Sequence, residues 1–153
     1  MNVKKFNELG AIPNESTLKI EQYNGQLLNK TLQNLEPNSI LYIKGEYWIM
    51  GGIQAYNLQN VTIVLDGVLH LSTNIKYWPR YSSKKKNRVL PCIDLSYGSN
   101  VTLTSSSLGG GVVNGNGWAW WNLPGVGYLI HAEDRPRLLY MLVHSLLNEK
   151  HMH

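Results

Sequence analysis

The sequence predicts an all-β protein that coils as a parallel β-helix, a solenoid of stacked turns that is incomplete here and begins with a helix. Short runs of β-branched and aromatic residues separated by glycines follow Pro37. One such run is echoed 40 residues later along the chain. An antiparallel β-sandwich, whose short strands also recur at regular spacing, is the alternative fold.

Composition restricts the class of protein before any motif is considered. Of the 153 residues, 43% are hydrophobic and 16% are charged, with a net charge of +4, which indicates a globular domain rather than a disordered chain. Nine Tyr and five Trp stand against one Phe, and such amphipathic rings suit sugar faces and wet grooves. The single cysteine, Cys92, can form neither an internal disulfide nor a thiolate metal site by itself.

A helix is expected near the start of the chain. Apolar residues recur at mostly helical intervals, which predicts a helix from about Thr17 to Asn34 with Ser16 or Thr17 as its cap. Gly25 in its interior is unfavourable, since glycine costs about 1 kcal/mol relative to alanine there.

Two runs after Pro37, at residues 40–43 and 47–50, predict strands of three to five residues. The echo consists of an asparagine, a strand, a glycine turn and a second short strand, first at residues 60–69 and again at 100–113. The polar, basic stretch at 77–88 is expected to lie outside the core. Setting such a loop aside leaves a period of about 20 to 25 residues, the length of one solenoid turn.

Alternation along the first copy predicts which side chains are buried, and asparagine at the start of each copy predicts a turn. Three organisational segments follow: an N-terminal cap with the helix (1–36), the first coils (37–141) with their basic loop (77–88), and an atypical tail (142–153). The side chains expected to point inward are Val61, Ile63 and Leu65, and those expected to point outward are Thr62, Val64 and Asp66.

Several segments together resemble a known family. These are the opening NVKKF, the Gly45-Glu46-Tyr47 turn, NVTIVLDGVLHL at 60–71, GVVNGNGWAWW at 111–121, and RPRLL at 135–139. The chain up to about Met141 is similar to the N-terminal part of glycoside hydrolase family 28, the polygalacturonase-like members of the pectin lyase-like superfamily. The resemblance implies a right-handed β-helix and a usually secreted protein.

The resemblance also implies an activity in carbohydrate and cell-wall metabolism. The family hydrolyses α-glycosidic bonds of pectin-like polyuronates with inversion, which requires two carboxyl groups about 6.5–9.5 Å apart. The family's Asn-Thr-Asp, Asp-Asp, Gly-His-Gly and Arg-Ile-Lys motifs do not occur in this sequence. No catalytic residue is therefore assigned, and the chain is expected to be an inactive fragment that ends before the catalytic coils.

The resemblance and the aromatic composition point to five candidate substrate contacts. They are Trp118, Trp120 and Trp121, which could stack on a sugar, together with Arg135 and Arg137. The alternative for the tryptophans is that they close the side of the solenoid. The expected partner is an anionic, pectin-like polysaccharide, and the alternative function is a non-catalytic β-helix module that binds such a polymer.

Other groups of polar residues do not indicate a specific functional site. Asp94, Glu133 and Asp134 show no spacing of an opposed acid–base pair, and the basic run at 84–88 is expected to be a solvated loop rather than a nucleic-acid site. No metal, cofactor, membrane span or signal peptide is expected. The remaining residues considered are the histidines His131, His144, His151 and His153, and the N-x-S/T asparagines Asn14, Asn29, Asn60 and Asn100.

The expectation of a fragment can be tested on the transcript. A truncation, a retained intron or a frame shift near Met141 should reveal, in another reading frame past the codon for His153, further strands with an Asn-Thr-Asp and an Asp-Asp motif. Sequencing across that codon and translating all three frames checks this. If every frame closes, binding assays become more informative than hydrolysis assays.

Overall fold

The computed structural model describes residues 2–82, 88–121 and 135–141, and this part of the chain is mainly β. No helix in it is long and apolar enough to cross a membrane. The helices are α1 (Leu18–Gln33) and α2 (Trp118–Trp121), and the strands are β1 (Asn2–Lys5), β2 (Ser39–Ile49), β3 (Ile53–Gln54), β4 (Gln59–Leu71), β5 (Ile93–Asp94), β6 (Ser99–Thr104), β7 (Val112–Asn114) and β8 (Leu139–Tyr140).

The strands form two parallel sheets. One has the order β1-β2-β4-β6, with β7 also pairing with β4, and the other has the order β3-β5-β8. Every pairing between these strands is parallel, which excludes the antiparallel sandwich for the described ranges. From β2 to β6 the chain alternates between the two sheets with each successive strand.

The register confirms that the echoed segments are neighbours. Val61 pairs with Val101, so the two copies lie side by side in one sheet. Ile40 pairs with Thr62, and this offset of 22 residues continues along the whole β2–β4 pairing. The offset lies within the repeat length expected from the sequence.

The expected strand lengths are wrong, because three glycines let the backbone turn within the ladder. The run at 40–43 and all of the run at 47–50 except Met50 belong to one strand, β2, which continues through Gly45 at a φ of 116°. Gly67 pairs with Gly45, and a Cβ on Gly67 would lie 1.9 Å from the Gly45 carbonyl oxygen. A Cβ on Gly111, just before β7, would lie 2.3 Å from the Leu65 carbonyl oxygen. We call these three glycines the glycine corner.

The burial predicted for residues 61–66 of β4 is confirmed at five of the six positions. The three residues expected to point inward are core residues, and Thr62 and Asp66 are half-buried. Val64 is buried although it lies outside the core cluster. It stands in register between Tyr42 and Thr104 on the outer face, where these neighbours flank it.

Helix α1 matches the sequence prediction closely. The Thr17 side chain accepts a hydrogen bond from the Ile20 amide at its start, and Asn34 is the residue that ends it. Leu28 and Leu32 are buried in the core. Gly25 is required by close packing, because a Cβ there would lie 2.7 Å from the Met50 carbonyl oxygen.

Two buried polar residues join α1 to the rest of the chain. The Asn24 amide bonds both backbone groups of Ile12 and donates to the Trp48 carbonyl. Glu21 accepts from the Asn74 side chain, and burial raises the pKa of its carboxyl group. Buried polar groups of this kind need such partners, so these bonds fix the helix in position.

The basic loop is partly a core element, contrary to expectation. Trp78 lies in the core cluster, donates its indole N–H to the Leu90 carbonyl, and packs edge-on against Trp120. The ends of the loop pair antiparallel through Arg80 and Val89. Residues 83–87, which include most of the basic run, lie outside the described ranges.

The asparagines at the start of each echo are turn residues, as predicted, and they also bond to one another. Asn38, Asn60 and Asn100 have left-handed φ values of 64°, 52° and 53°. Asn60 Nδ2 donates to Asn38 Oδ1, and Asn100 Nδ2 donates to Asn60 Oδ1, each at 2.5 Å. We call this row the asparagine ladder.

Replacing Asn60 separates the two contributions of the ladder. Asn60→Gly keeps the left-handed backbone and loses the side-chain bonds, so we expect a loss of about 1 kcal/mol in unfolding free energy. Asn60→Ala adds the cost of a left-handed Cβ residue, for a loss of about 2 kcal/mol. Chemical denaturation measures both.

The matched control is Asn57→Gly, because Asn57 is also left-handed but has no side-chain hydrogen bond among the described contacts. Its stability should be close to that of the unmodified chain. An Asn60→Gly variant as stable as the Asn57→Gly variant would show that the ladder bonds contribute nothing.

Candidate functional site

The structure separates the predicted tryptophans. Trp118 is 70% exposed, whereas Trp120 is 2% exposed and belongs to the core. The Trp120 ring therefore offers no face to a sugar, which agrees with the alternative that it closes the side of the fold. The Trp121 side chain lies outside the described part of the chain.

The two predicted arginines also differ. Arg135 donates from Nε to the Trp120 carbonyl at 3.1 Å, so it holds the end of α2. The Arg137 guanidinium lies 5.0 Å from the centre of the Tyr140 ring, while its backbone carbonyl accepts from the Cys92 amide. Burial raises the pKa of the Cys92 thiol to about 12, so this cysteine is a packing residue.

Arg137 belongs to a polar aromatic surface on the sheet formed by β3, β5 and β8. Gln54, Asp94 and Tyr140 occupy one register row across these strands. We call this surface the tyrosine face, and it consists of Tyr56, Tyr81, Tyr97, Tyr140 and Arg137 around Asp94.

Asp94 is the buried residue of the tyrosine face, and its carboxylate accepts hydrogen bonds from Tyr56 and Ser96. It is 3% exposed, and one carboxylate oxygen accepts from the Tyr56 hydroxyl at 3.1 Å. The other oxygen accepts from the Ser96 amide and hydroxyl. Gln54, two residues before Tyr56 in the chain, donates from its side chain to the Tyr56 hydroxyl, so the hydroxyl group has hydrogen-bond partners on both sides.

Three rings of the tyrosine face meet solvent. Tyr56, Tyr81 and Tyr97 are exposed, and the Tyr56 and Tyr97 rings meet edge to face with centres 5.8 Å apart. The Tyr81 amide donates to the Arg88 carbonyl, which places the base of the basic loop beside the face. Aromatic rings and cationic groups are thus adjacent on one surface.

Burial and the neighbouring Asp94 carboxylate raise the pKa of two tyrosines in the face. Burial, then the hydrogen bond and charge of Asp94, raise the pKa of Tyr56 to about 12. Burial and the charge of Asp94 also raise the pKa of Tyr81. Both phenols therefore remain neutral at physiological pH. Tyr56 donates its hydroxyl proton to Asp94, and the Tyr81 hydroxyl can donate to a ligand.

A second polar cluster lies on the outer face of the other sheet. His70 stacks on Trp48, its register neighbour, with ring centres 4.3 Å apart. Its Nε2 lies 2.6 Å from a Glu46 carboxylate oxygen, and Asn114 Nδ2 lies 3.1 Å from its Nδ1. Asn114 Oδ1 accepts from the Asn116 amide, so Nδ2 is the atom left for His70.

These bonds assign the tautomer and the role of that cluster. Nδ1 of His70 must accept from Asn114, so Nε2 carries the proton and donates to Glu46. Both ring nitrogens are therefore occupied by neighbours on adjacent strands. The cluster fastens β2, β4 and β7 together, which explains the asparagines of the VNGNG segment.

Of the acidic candidates, Asp94 is committed to internal hydrogen bonds, and Glu133 and Asp134 lie outside the described ranges. The four considered histidines, at positions 131, 144, 151 and 153, also lie outside them. Within the part that the structure describes, no group of three or more His, Cys, Asp or Glu side chains could hold a metal ion.

The four sequon asparagines have different surroundings. The ladder uses the Nδ2 atoms of Asn60 and Asn100, the atoms that glycosylation would modify. Asn29 lies within α1 and accepts from the Gln54 amide and the Gln33 side chain. Asn14 is exposed in a left-handed turn.

The sequence pattern did not single out the tyrosine face. Tyr56 and Asp94 are 38 residues apart in sequence. Tyr56 follows β3, Asp94 lies in β5, and both strands have only two residues, too few for alternation to be visible. The excess of tyrosine over phenylalanine was the available signal. Comparisons with models of protein families, with curated proteins and with solved structures found no match.

The Asp94→Asn variant should lower the pKa of Tyr56 from about 12, because it removes the charge that opposes phenolate formation while burial remains. Tyrosine ring-carbon chemical shifts followed against pH measure this, with Tyr56→Phe to assign the signal. Asp66→Asn, which removes a carboxylate from the other sheet, should leave Tyr56 unchanged. An unchanged Tyr56 titration in Asp94→Asn would contradict the assigned interaction.

Proposed function

We propose that this chain forms the first coils of a right-handed parallel β-helix in a polygalacturonase-like glycoside hydrolase of family 28. We further propose that the coils themselves bind an anionic, pectin-like polysaccharide without cleaving it. The single observation that carries the binding proposal is the tyrosine face, where exposed tyrosine rings share one surface with Arg137, whose guanidinium packs over the Tyr140 ring.

The coil proposal is supported by the order in which successive strands join the two sheets. Strands β2 to β6 alternate between the sheets, and all pairings are parallel. The offset of 22 residues between β2 and β4 equals one turn of a solenoid of this size. Under this proposal, α1 covers the open end of the first coil, and the 77–88 loop is an insertion within one coil.

The choice of ligand follows from the chemistry of the tyrosine face. The apolar CH face of a pyranose packs on an aromatic ring, and the neutral hydroxyl of Tyr81 donates to a sugar oxygen. A uronate adds a carboxylate, which a guanidinium binds more strongly than it binds a neutral hydroxyl. Arg137 supplies that group, and the net charge of +4 attracts a polyanion.

The proposal assigns no hydrolysis to the described residues. An inverting glycosidase needs two carboxyl groups with a water between them, and one of them must reach the bond to be cleaved. Asp94 is buried beneath Tyr56, and Glu46 is bonded to His70. Under the proposal, the acid and base belong to coils beyond those described.

The binding proposal is tested with polygalacturonate, using neutral dextran as the comparison polymer. We expect the chain to be retarded by polygalacturonate in affinity electrophoresis, less so at high salt, and not by dextran. Arg137→Ala should weaken binding about tenfold, the loss of one charge-assisted bond. Its backbone bond to Cys92 stays, so the fold is preserved.

Lys19→Ala is the matched control, because it removes the same charge from an exposed position in the first turn of α1, a helix that contributes no residue to the tyrosine face. It should bind polygalacturonate nearly as well as the unmodified chain. Equal losses in the two variants would mean that net charge alone attracts the polymer, and equal retardation by dextran would refute the choice of ligand.

A further inference from the structure

A cleft that shares no lining residue with the tyrosine face lies between α1 and the chain that follows β2. Its volume is about 180 Å³. Gln22, Gln26 and Asn29, at successive turns of α1, form one wall, and Tyr77 and Pro79 form the opposite wall. We call it the helix cleft.

The floor of the helix cleft is bare backbone. A Cβ on Gly51 would lie 2.2 Å from the Trp78 ring, and a Cβ on Gly52 would lie 2.8 Å from Pro79. Packing beneath and beside the floor therefore requires glycine at both positions. The cleft is held open by the same Trp78 that anchors the basic loop, so it is a built feature of the core.

The helical wall carries unpaired amide groups. The side chains of Gln22 and Gln26 make no hydrogen bond to any other described residue. Asn29 Oδ1 accepts from the Gln54 amide at 2.9 Å and from Gln33, which orients the side chain and leaves its Nδ2 without a described partner. Three amides on one stripe thus offer donors and acceptors at a fixed spacing.

The opposite wall is aromatic and apolar. Tyr77 is 52% exposed, and Pro79 continues its surface. None of the residues that line the cleft in the described part carries a charge. Lys76 does not line the cleft, and its Nζ lies 6.0 Å from the Tyr77 ring centre.

We propose that the helix cleft binds one neutral hexopyranose unit. A pyranose has an apolar face that matches the Tyr77 ring and hydroxyl edges that match the three amides. The volume lies below the roughly 300–1,000 Å³ of pockets that take drug-sized ligands, so one ring fits rather than a chain segment. Uncharged walls favour a neutral sugar over a uronate, because no lining cation would pair with a carboxylate.

The test is a titration of the full chain with methyl galactoside and methyl glucoside, followed by amide and side-chain NMR shifts. The side-chain amide signals of Gln22, Gln26 and Asn29 should move together. Tyr77→Ala should weaken binding about tenfold, and Tyr77→Phe should retain it, because stacking needs the ring and not the hydroxyl. Both variants change an exposed side chain, so the melting temperature should hold.

The matched control is Tyr97→Ala, which removes an exposed ring from the tyrosine face. It should leave binding of the neutral sugar unchanged. The proposal is overturned if neither sugar moves the three amide signals, or if Tyr77→Ala binds like the unmodified chain. A galacturonate response that depends on Arg137 and not on Tyr77 would support the polysaccharide site and count against the helix cleft as its location.

Discussion

Close approach of backbones at the glycine corner is the constraint on which the larger sheet depends. At this corner a side chain on Gly67 would collide with the neighbouring strand at 1.9 Å. Because the backbones meet there, β2 and β4 keep their pairing through the corner, from Ile40 and Thr62 to Ile49 and Leu71. The turn separates the row that contains the asparagine ladder from the row that contains His70.

The polar rows on the two sides of the glycine corner are stabilised in the same way. Parallel neighbours in register bring like positions of successive strands together, so that one side chain bonds the next along the stack. The asparagine ladder does this with amides, and Glu46, His70 and Asn114 do it with three different groups. Such rows fix the register, because a shift by one residue would break every bond at once.

Sequence patterns predicted what is local and missed what depends on distant partners. Helix α1 was predicted to within one residue at each end, because its periodicity and its Thr17 cap are encoded in consecutive residues. The echo predicted which segments pair. The continuous strands were missed, since a glycine that turns a strand looks in sequence like one that ends it. Trp78 was missed because it begins a stretch, 77–88, that is polar and basic as a whole, while its partners, Gly51 and Trp120, are distant along the chain.

The candidate site was predictable only in part, for the same reason. Arg137 was singled out by the resemblance of its segment, but Asp94 and Tyr56 meet across 38 residues. Trp120 shows the converse case, because its sequence context suggested a ligand contact and its packing makes it a core residue. A strand of two residues is too short for hydrophobic alternation to be recognised in the sequence, so a surface built from such strands is hard to predict.

The anchoring of the basic loop by one indole has an evolutionary consequence. Trp78 secures the loop on one side, and the pairing of Arg80 with Val89 closes its base. Insertions, deletions and changes of charge within that segment can then accumulate without altering the register of either sheet. Related chains would be expected to diverge fastest there while keeping the tryptophan and the glycine beneath it.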